Sequence, residues 1–316
     1  SSQSLTLVEF ASKQSFPVFI DSREIELAGI DRDTKLRLNV QANSLAEYLD
    51  AILSPHGLSW YALQTMIVIS SKEAVTERGE VRVYRVPVRA NDYSSVMNSF
   101  QQIEPTSWAS SGGTGAISAL PPTQLFAVRQ SAIVHRALSA KTVVQLVPHN
   151  YSHDLDRVLV NISATKPDLV DLMTQLGRQI DRGVQVLPDV LDAGFSRKSI
   201  EFELTGVSAR DALEVILSQV EGTWIESGKN ILVTTHKDAR RQVSQFRVSL
   251  DFASPRDVQT PIHMIMSTVA PRSWQIAGGN GQIQHAGGRN FVVQQSQPAY
   301  RELEELLADF KSATAR

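Results

Sequence analysis

Hydrophobic positions along this chain switch between two spacings. Leu169, Leu172, Met173, Leu176 and Ile180 recur every three or four residues, which predicts a helix over 167–180 with one buried face. Ile200, Phe202 and Leu204 alternate instead, as a half-buried strand does. The helical spacing returns at Leu213, Ile216, Leu217 and Val220, and two strands follow, around Trp224 and Ile225 and over 230–235. With a β-rich stretch at 157–164 in front and a strand before Pro188, the predicted order is β-α-β-β-α-β-β. Ser208, with Asp211 three residues on, has the form of a capping box that opens the second helix.

The same pattern occurs earlier. Residues 44–72 align without a gap on 208–236, so that Trp60 matches Trp224 and the pair Ser44 and Glu47 matches Ser208 and Asp211. In that earlier helix Leu45, Leu49, Ile52 and Leu53 form the apolar face. Residues 104–117 (EPTSWASSGGTGAI) align on 270–283 (APRSWQIAGGNGQI), and 125–138 on 290–303. All four tryptophans therefore sit at matched positions, which predicts a tandem repeat.

Between the aligned stretches lies a second pattern. A strand at 81–88 or 244–251 precedes a helix carrying Val96, Phe100 and Ile103, or Ile262, Ile265, Met266 and Val269. Pro261 suits that helix's first turn behind a Thr260 cap. The Trp-Gly stretch comes next, then a strand at 290–295 and a helix at 296–310 with Leu303, Leu306, Leu307 and Phe310 as its stripe. The order is β-α-β-β-α. The expected organisation is four small αβ modules in two repeats, an α+β fold: 1–76, 77–140, a linker at 141–156, 157–238 and 239–316. Residues 238–243 read as a connection. The first module lacks a counterpart to 157–164, an edge strand expected to be lost ahead of residue 1.

Composition narrows the function. A 42% hydrophobic and 20% charged chain of 316 residues supports packed cores. The net charge of −2 disfavours a broad nucleic-acid face, and zero cysteines exclude disulfides and thiolate chemistry. No apolar run is long enough for a membrane span.

The candidate chemistry is sparse. Gly278, Gly279 and Gly281 lead into β-rich sequence with no Gly-Lys-Ser/Thr, so a turn feeding a hairpin is favoured over a phosphate loop or a backbone-clamping GxxG loop. His149 and His153, beside Asp154 and Asp156, have helical metal-site spacing but lie among turn formers in the linker. Ser163 and Lys166 spell S-x-x-K without companion motifs. No catalytic set, metal or cofactor is expected. One tryptophan per module at matched positions favours a packing role; the candidates for partner contact are Trp108, Gly112, Gly113, Trp274, Gly278, Gly279 and Gly281, the tryptophans because they stand next to mobile glycines.

Residues 169–191 and 199–234, with their earlier match at 5–70, resemble the periplasmic N-terminal domains of bacterial secretins (N0) and the related short N-terminal (STN) domain of TonB-dependent receptors. The β-α-β-β-α modules are similar to the KH-like secretin domain (N1) that follows, most clearly over 291–310. This resemblance implies a non-enzymatic protein of the periplasm or cell envelope that docks on protein partners, self-association included. It also implies two alternatives, a signal-relay module of a TonB-receptor-like system and nucleic-acid binding through the KH-like modules. A secretin or receptor barrel does not follow in this sequence, and the alternation of modules differs from the usual secretin order.

Overall fold

A computed structural model describes residues 4–88, 92–121, 123–141, 144–151, 153–165, 168–192, 201–250 and 257–314. In the first half of the chain the elements run β1 (Ser4–Thr6), α1 (Leu7–Ser12), β2 (Val18–Ile20), α2 (Ser22–Leu27), β3 (Lys35–Arg37), α3 (Leu45–Leu53), β4 (Leu58–Ala62), β5 (Ile67–Ser71) and α4 (Lys72–Glu77). They continue with β6 (Gly79–Arg85), α5 (Tyr93–Gln101), β7 (Ala116–Leu120), β8 (Leu125–Ser131), α6 (Ala132–Ser139) and β9 (Gln145–Leu146).

The second half runs β10 (Leu159–Thr165), α7 (Leu169–Ile180), β11 (Val184–Val186), α8 (Pro188–Asp192), β12 (Glu201–Ser208), α9 (Ala209–Ser218), β13 (Gly222–Ser227), β14 (Asn230–Thr235) and α10 (His236–Arg241). After it come β15 (Val243–Ser249), α11 (Gln259–Thr268), β16 (Gln282–His285), β17 (Asn290–Ser296) and α12 (Gln297–Thr314). The fold is α+β, and the halves repeat each other element by element up to β9.

The chain forms two compact units, and each takes one segment from each half. Unit 1 is residues 1–77 with 153–236, and unit 2 is residues 78–152 with 237–316. In unit 1 each half contributes a lobe with a two-stranded and a three-stranded sheet: β1-β3 and β2-β5-β4, then β10-β12 and β11-β14-β13. β2 and β11 run parallel to β5 and β14, while the other pairs are antiparallel. In unit 2 the lobes are the sheets β7-β8-β6-β9 and β15-β17-β16 with their helices.

The apolar stripe of α7 is buried at Leu169, Leu172, Met173, Leu176 and Ile180, as its spacing predicts. Each such side chain contributes roughly 1.5–3 kcal/mol on leaving water. Asp168 caps this helix by accepting from Val170 N at 2.6 Å. Asp181 ends it in the left-handed region, at φ 53°.

Several local expectations need correction. The first lobe keeps a short outer strand, because β1 pairs with β3 over three residues where β10 pairs with β12 over seven. Short helices α2 and α8 follow β2 and β11, since Asp21 caps the first and Pro188 opens the second. Residues 236–241 are the helix α10, with Ala239 buried. The cap of α11 is supplied by Asp257, which accepts from Thr260 N at 3.1 Å, so Thr260 lies inside the helix. Nor is the 144–156 stretch a free linker: β9 pairs with the edge of β6, and the Asp309 carboxylate holds both His149 Nδ1 (2.9 Å) and Asn150 N (2.7 Å). Ile200 and Lys166 lie outside the described residues, and with Lys166 the S-x-x-K pattern.

Candidate functional site

The Trp-Gly stretches fold alike in the two lobes of unit 2. Glu104 and Ala270 turn the chain through the left-handed region, at φ 48° and 38°, and a 3₁₀ turn delivers each tryptophan inward. Trp108 and Trp274 are 1% and 0% exposed, and their indole N–H groups donate to Ile103 O at 2.8 Å and Val269 O at 2.7 Å. The two rings are thus core residues with a satisfied polar edge, and the expectation that they touch a partner is corrected on burial.

The glycines serve the same turn. Gly112 and Gly278 adopt φ 89° and 84°, which favours glycine. At Gly113 and Gly279 a Cβ would lie 2.2 Å from the Ser107 carbonyl and 2.1 Å from Ser273 O, so the backbones pass too closely for any side chain. The amides point inward: Gly113 N donates to Trp108 O and Gly115 N to Ser107 O, as Gly279 N does to Trp274 O and Gly281 N to Ser273 O. Gln130 and Gln295 brace each loop by donating to Ser107 Oγ (2.7 Å) and Ser273 Oγ (2.8 Å). A phosphate cradle needs outward N–H groups, and these are spent on the loop's own carbonyls. What the second loop does present to solvent is Ile276, 83% exposed.

Titratable groups with perturbed behaviour serve as structural ties. Burial lowers His135 to about 3 and pushes Tyr84 up to about 12. His135 Nδ1 lies 2.8 Å from Tyr84 Oη and its Nε2 lies 3.1 Å from Glu80 O. A neutral imidazole donating from Nε2 and accepting at Nδ1 satisfies both. His153, Asp154 and Glu226 bring donor atoms within 4.8 Å of one another, a metal-sized cluster among the described residues. The Arg182 guanidinium already bridges Asp154 and Glu226, so a cation's place is taken. His149 sits on Asp309 instead, so the two histidines share no site.

The contacts that stand out join the lobes inside each unit. In unit 1 the Asp211 carboxylate accepts from Thr65 N (2.7 Å) and Thr65 Oγ1 (2.5 Å), while Ser208 N donates to Thr65 Oγ1 (2.8 Å). Gln219 Nε2 donates to Asp21 Oδ1 at 2.9 Å, and Arg23 pairs with Glu221. Burial raises the Asp211 carboxyl, with the Thr65 donors opposing it. This contact explains why only half of the second capping box forms. Ser208 Oγ accepts from Asp211 N at 3.0 Å, but the Asp211 carboxylate is drawn to the other lobe. On α3 the Ser44 arm forms likewise, and Glu47 reaches back to Asn43 N.

In unit 2 the outer face of the first sheet, with Val83, Leu120, Leu125 and Ala127, shares one apolar core with Met264, Ile265, Leu303, Leu306 and Phe310. Arg129 pairs with Glu302 at its margin and donates to Thr268 O at 3.3 Å. By ladder register, β15 and β17 carry Gln245, Arg247 and Asn290 where β6 and β8 carry Val81, Val83 and Leu125. Those three polar residues are exposed. Sequence reasoning named Ser208 and Asp211 only as a cap and Ile265, Leu303, Leu306 and Phe310 only as stripe residues, and missed every polar contact between the lobes, because the partners are separated by 139–198 positions and leave no local pattern.

Among the described residues no helix is long and apolar enough to cross a membrane. No family model matches the chain, and no curated protein matches it. Among solved structures it is similar to a chain from the InvG N0–N1, SpaPQR and PrgHK assembly of the Salmonella SPI-1 injectisome base, at 15% identity and TM-score 0.23, covering 48% of this chain and 95% of that one. It is also similar to XcpQ N012, at 11% identity and TM-score 0.18, covering 48% of this chain and 63% of that one. The enterotoxigenic Escherichia coli GspC–GspD complex of the type II secretion system gives 12% identity and TM-score 0.16, covering 47% and 96%.

Proposed function

We propose that this chain is a tandem duplication of a secretin-like pair of modules and acts, without catalysis, as a docking and assembly component of the periplasm or cell envelope. The observation that carries the reading is the pairwise docking of like lobes: each half supplies faces that bind the matching lobe of the other half through Thr65 and Asp211 in unit 1 and through the shared core in unit 2. Faces built to bind a related αβ body are what an assembly module uses. The resemblance of 169–191 and 199–234 to secretin N-domains supports the periplasmic or envelope part of this reading. The glycine turns at Gly112, Gly113, Gly278, Gly279 and Gly281 belong to this reading as loop tips, the second of which carries the exposed Ile276 as an apolar contact.

The test is photo-crosslinking in cells from the exposed Ile276. Discrete protein adducts in the envelope fraction are expected. A chain that fractionates with the cytosol and gives no adduct overturns the reading.

A further inference from the structure

The lobes of unit 1 meet by unlike surfaces. The first lobe offers the β4–β5 turn, with Thr65, and the end of β2, with Asp21; the second offers α9, with Asp211 and Gln219. A contact between unlike patches of like bodies leaves one copy of each patch unused. The unused pair is a helix face on the first lobe and a turn face on the second.

Ladder register identifies both. Ser227 and Asn230 close the β13–β14 ladder as a pair, which puts Lys229 where Thr65 stands in the β4–β5 turn. Leu187 N bonds to Val233 O as Asp21 N bonds to Ile69 O, so Leu187 stands where Asp21 does. On α3, Glu47 occupies the third helical position that Asp211 holds on α9, and Pro55 matches Gln219.

The substituted pairs remain complementary. The hydrogen bonds of Thr65 with Asp211 become the opposite charges of Lys229 and Glu47, and the Asp21–Gln219 pair becomes the apolar pair of Leu187 and Pro55. The Arg23–Glu221 pair has no counterpart, since Asp189 and Gly57 stand at its matching positions, nor do the bonds accepted by Thr65 Oγ1 from Ser208 N and by Gln219 Oε1 from Arg23 N have one, since Lys229 and Pro55 offer no side-chain acceptor. Exposure agrees with one used face and one unused face. Asp211, Ala212, Val215 and Gln219 on α9 are at most 3% exposed. On α3, Glu47, Ala51 and Pro55 are exposed and Tyr48 is half-buried, while across from them Lys229 is exposed and Leu187 half-buried.

We propose that a second copy of this chain is the partner of unit 1. The Lys229 and Leu187 face of one molecule docks on the Glu47, Tyr48, Ala51 and Pro55 face of the next, repeating between molecules the contact made once within each. This rests on the assembly reading above and names its partner. Being heterologous, the contact closes into a ring or runs on as a filament, according to the rotation it imposes.

The cysteine-free sequence makes the test direct. A chain carrying Glu47→Cys and Lys229→Cys together is expected to give a ladder of disulfide-linked oligomers under mild oxidation, and mixed single variants are expected to give one heterodimer band. In sedimentation, Lys229→Glu alone weakens self-association about tenfold or more, and adding Glu47→Lys to the same chain restores it. A strictly monomeric parent chain at high concentration, a purely intramolecular disulfide, or association indifferent to both charge reversals overturns the proposal. If the chain is monomeric while envelope adducts persist, the self-docking is wrong and the assembly reading stands. If copies associate through this pair while no envelope adduct forms, the reverse holds.

Discussion

In unit 2 Val83, Leu125 and Ala127 of one lobe share an apolar core with Leu303, Leu306 and Phe310 of the other, whereas unit 1 joins its lobes where Thr65, Asp21 and Arg23 meet Asp211, Gln219 and Glu221. The faces left over differ as much as the faces in use. In unit 2 the second sheet turns Gln245, Arg247 and Asn290 outward, and α6 spans 8 residues where α12 spans 18. A polar outer face ends a stack of repeats, so unit 2 is a finished pair. In unit 1 the leftover faces keep opposite charges and matched apolar positions. Unit 2 is thus a pair locked by apolar burial, and unit 1 a pair whose leftover surfaces are the ones used again in the proposed self-docking.

Four substitutions sharpen this contrast, in falling order of effect. Phe310→Ala removes a fully buried ring from the shared core of unit 2 and is expected to cost about 3–5 kcal/mol, read as a lower urea midpoint for the unit 2 transition. Arg129→Met leaves Glu302 without its cation and is expected to cost about 2 kcal/mol, much of it recovered when Glu302→Leu is added. Asp211→Ala strips two acceptor contacts from Thr65 and is expected to cost about 1–2 kcal/mol in unit 1 while leaving unit 2 unchanged. An equal loss in both units after Asp211→Ala would erase the distinction drawn between them.

The fourth uses pH. The Glu226 carboxyl is held down to about 2, first by His153 and then by Arg182, against the opposing effect of burial. A carboxyl depressed in the folded state stabilises fully above its ordinary value of 4.5 and loses that contribution as pH falls toward 2. Unit 1 is therefore expected to weaken between pH 4.5 and 2 by an amount that Glu226→Gln abolishes. Because this side chain is one-third exposed, the effect stays under about 1 kcal/mol. Urea midpoints at pH 6 and pH 3 measure it.

What could be read from sequence followed from what is local. The stripe of α7 buries one face within a few residues of chain, so spacing alone located it, and the strand β12 stands where the alternation placed one, with Leu204 buried. The glycine turns were legible as turns because Gly112 and Gly278 need a left-handed backbone. β9 was not, since two residues carry no period, and α10 was not, since Ala239 is its one buried side chain. Asp211 looked like half of a capping box, and nothing near it in sequence tells that its carboxylate turns to Thr65, 146 positions away. The tryptophans were legible as core from their matched positions and are buried; the alternative reading as partner contacts, taken from the neighbouring glycines, missed the close backbone approach at Gly113 and Gly279.

Because each unit draws on both halves of the chain, neither can be completed until its second segment is made, residues 153–236 for unit 1 and 237–316 for unit 2. The apolar face of Val83, Leu125 and Ala127 emerges first, and its cover, α12, follows only after α6, β9 and everything from β10 to β17. At ordinary translation speeds that wait is roughly ten to thirty seconds, long compared with hydrophobic collapse. During that interval this sheet face lacks the cover it has in the folded unit, so the interleaved order of the segments sets how long it stays open.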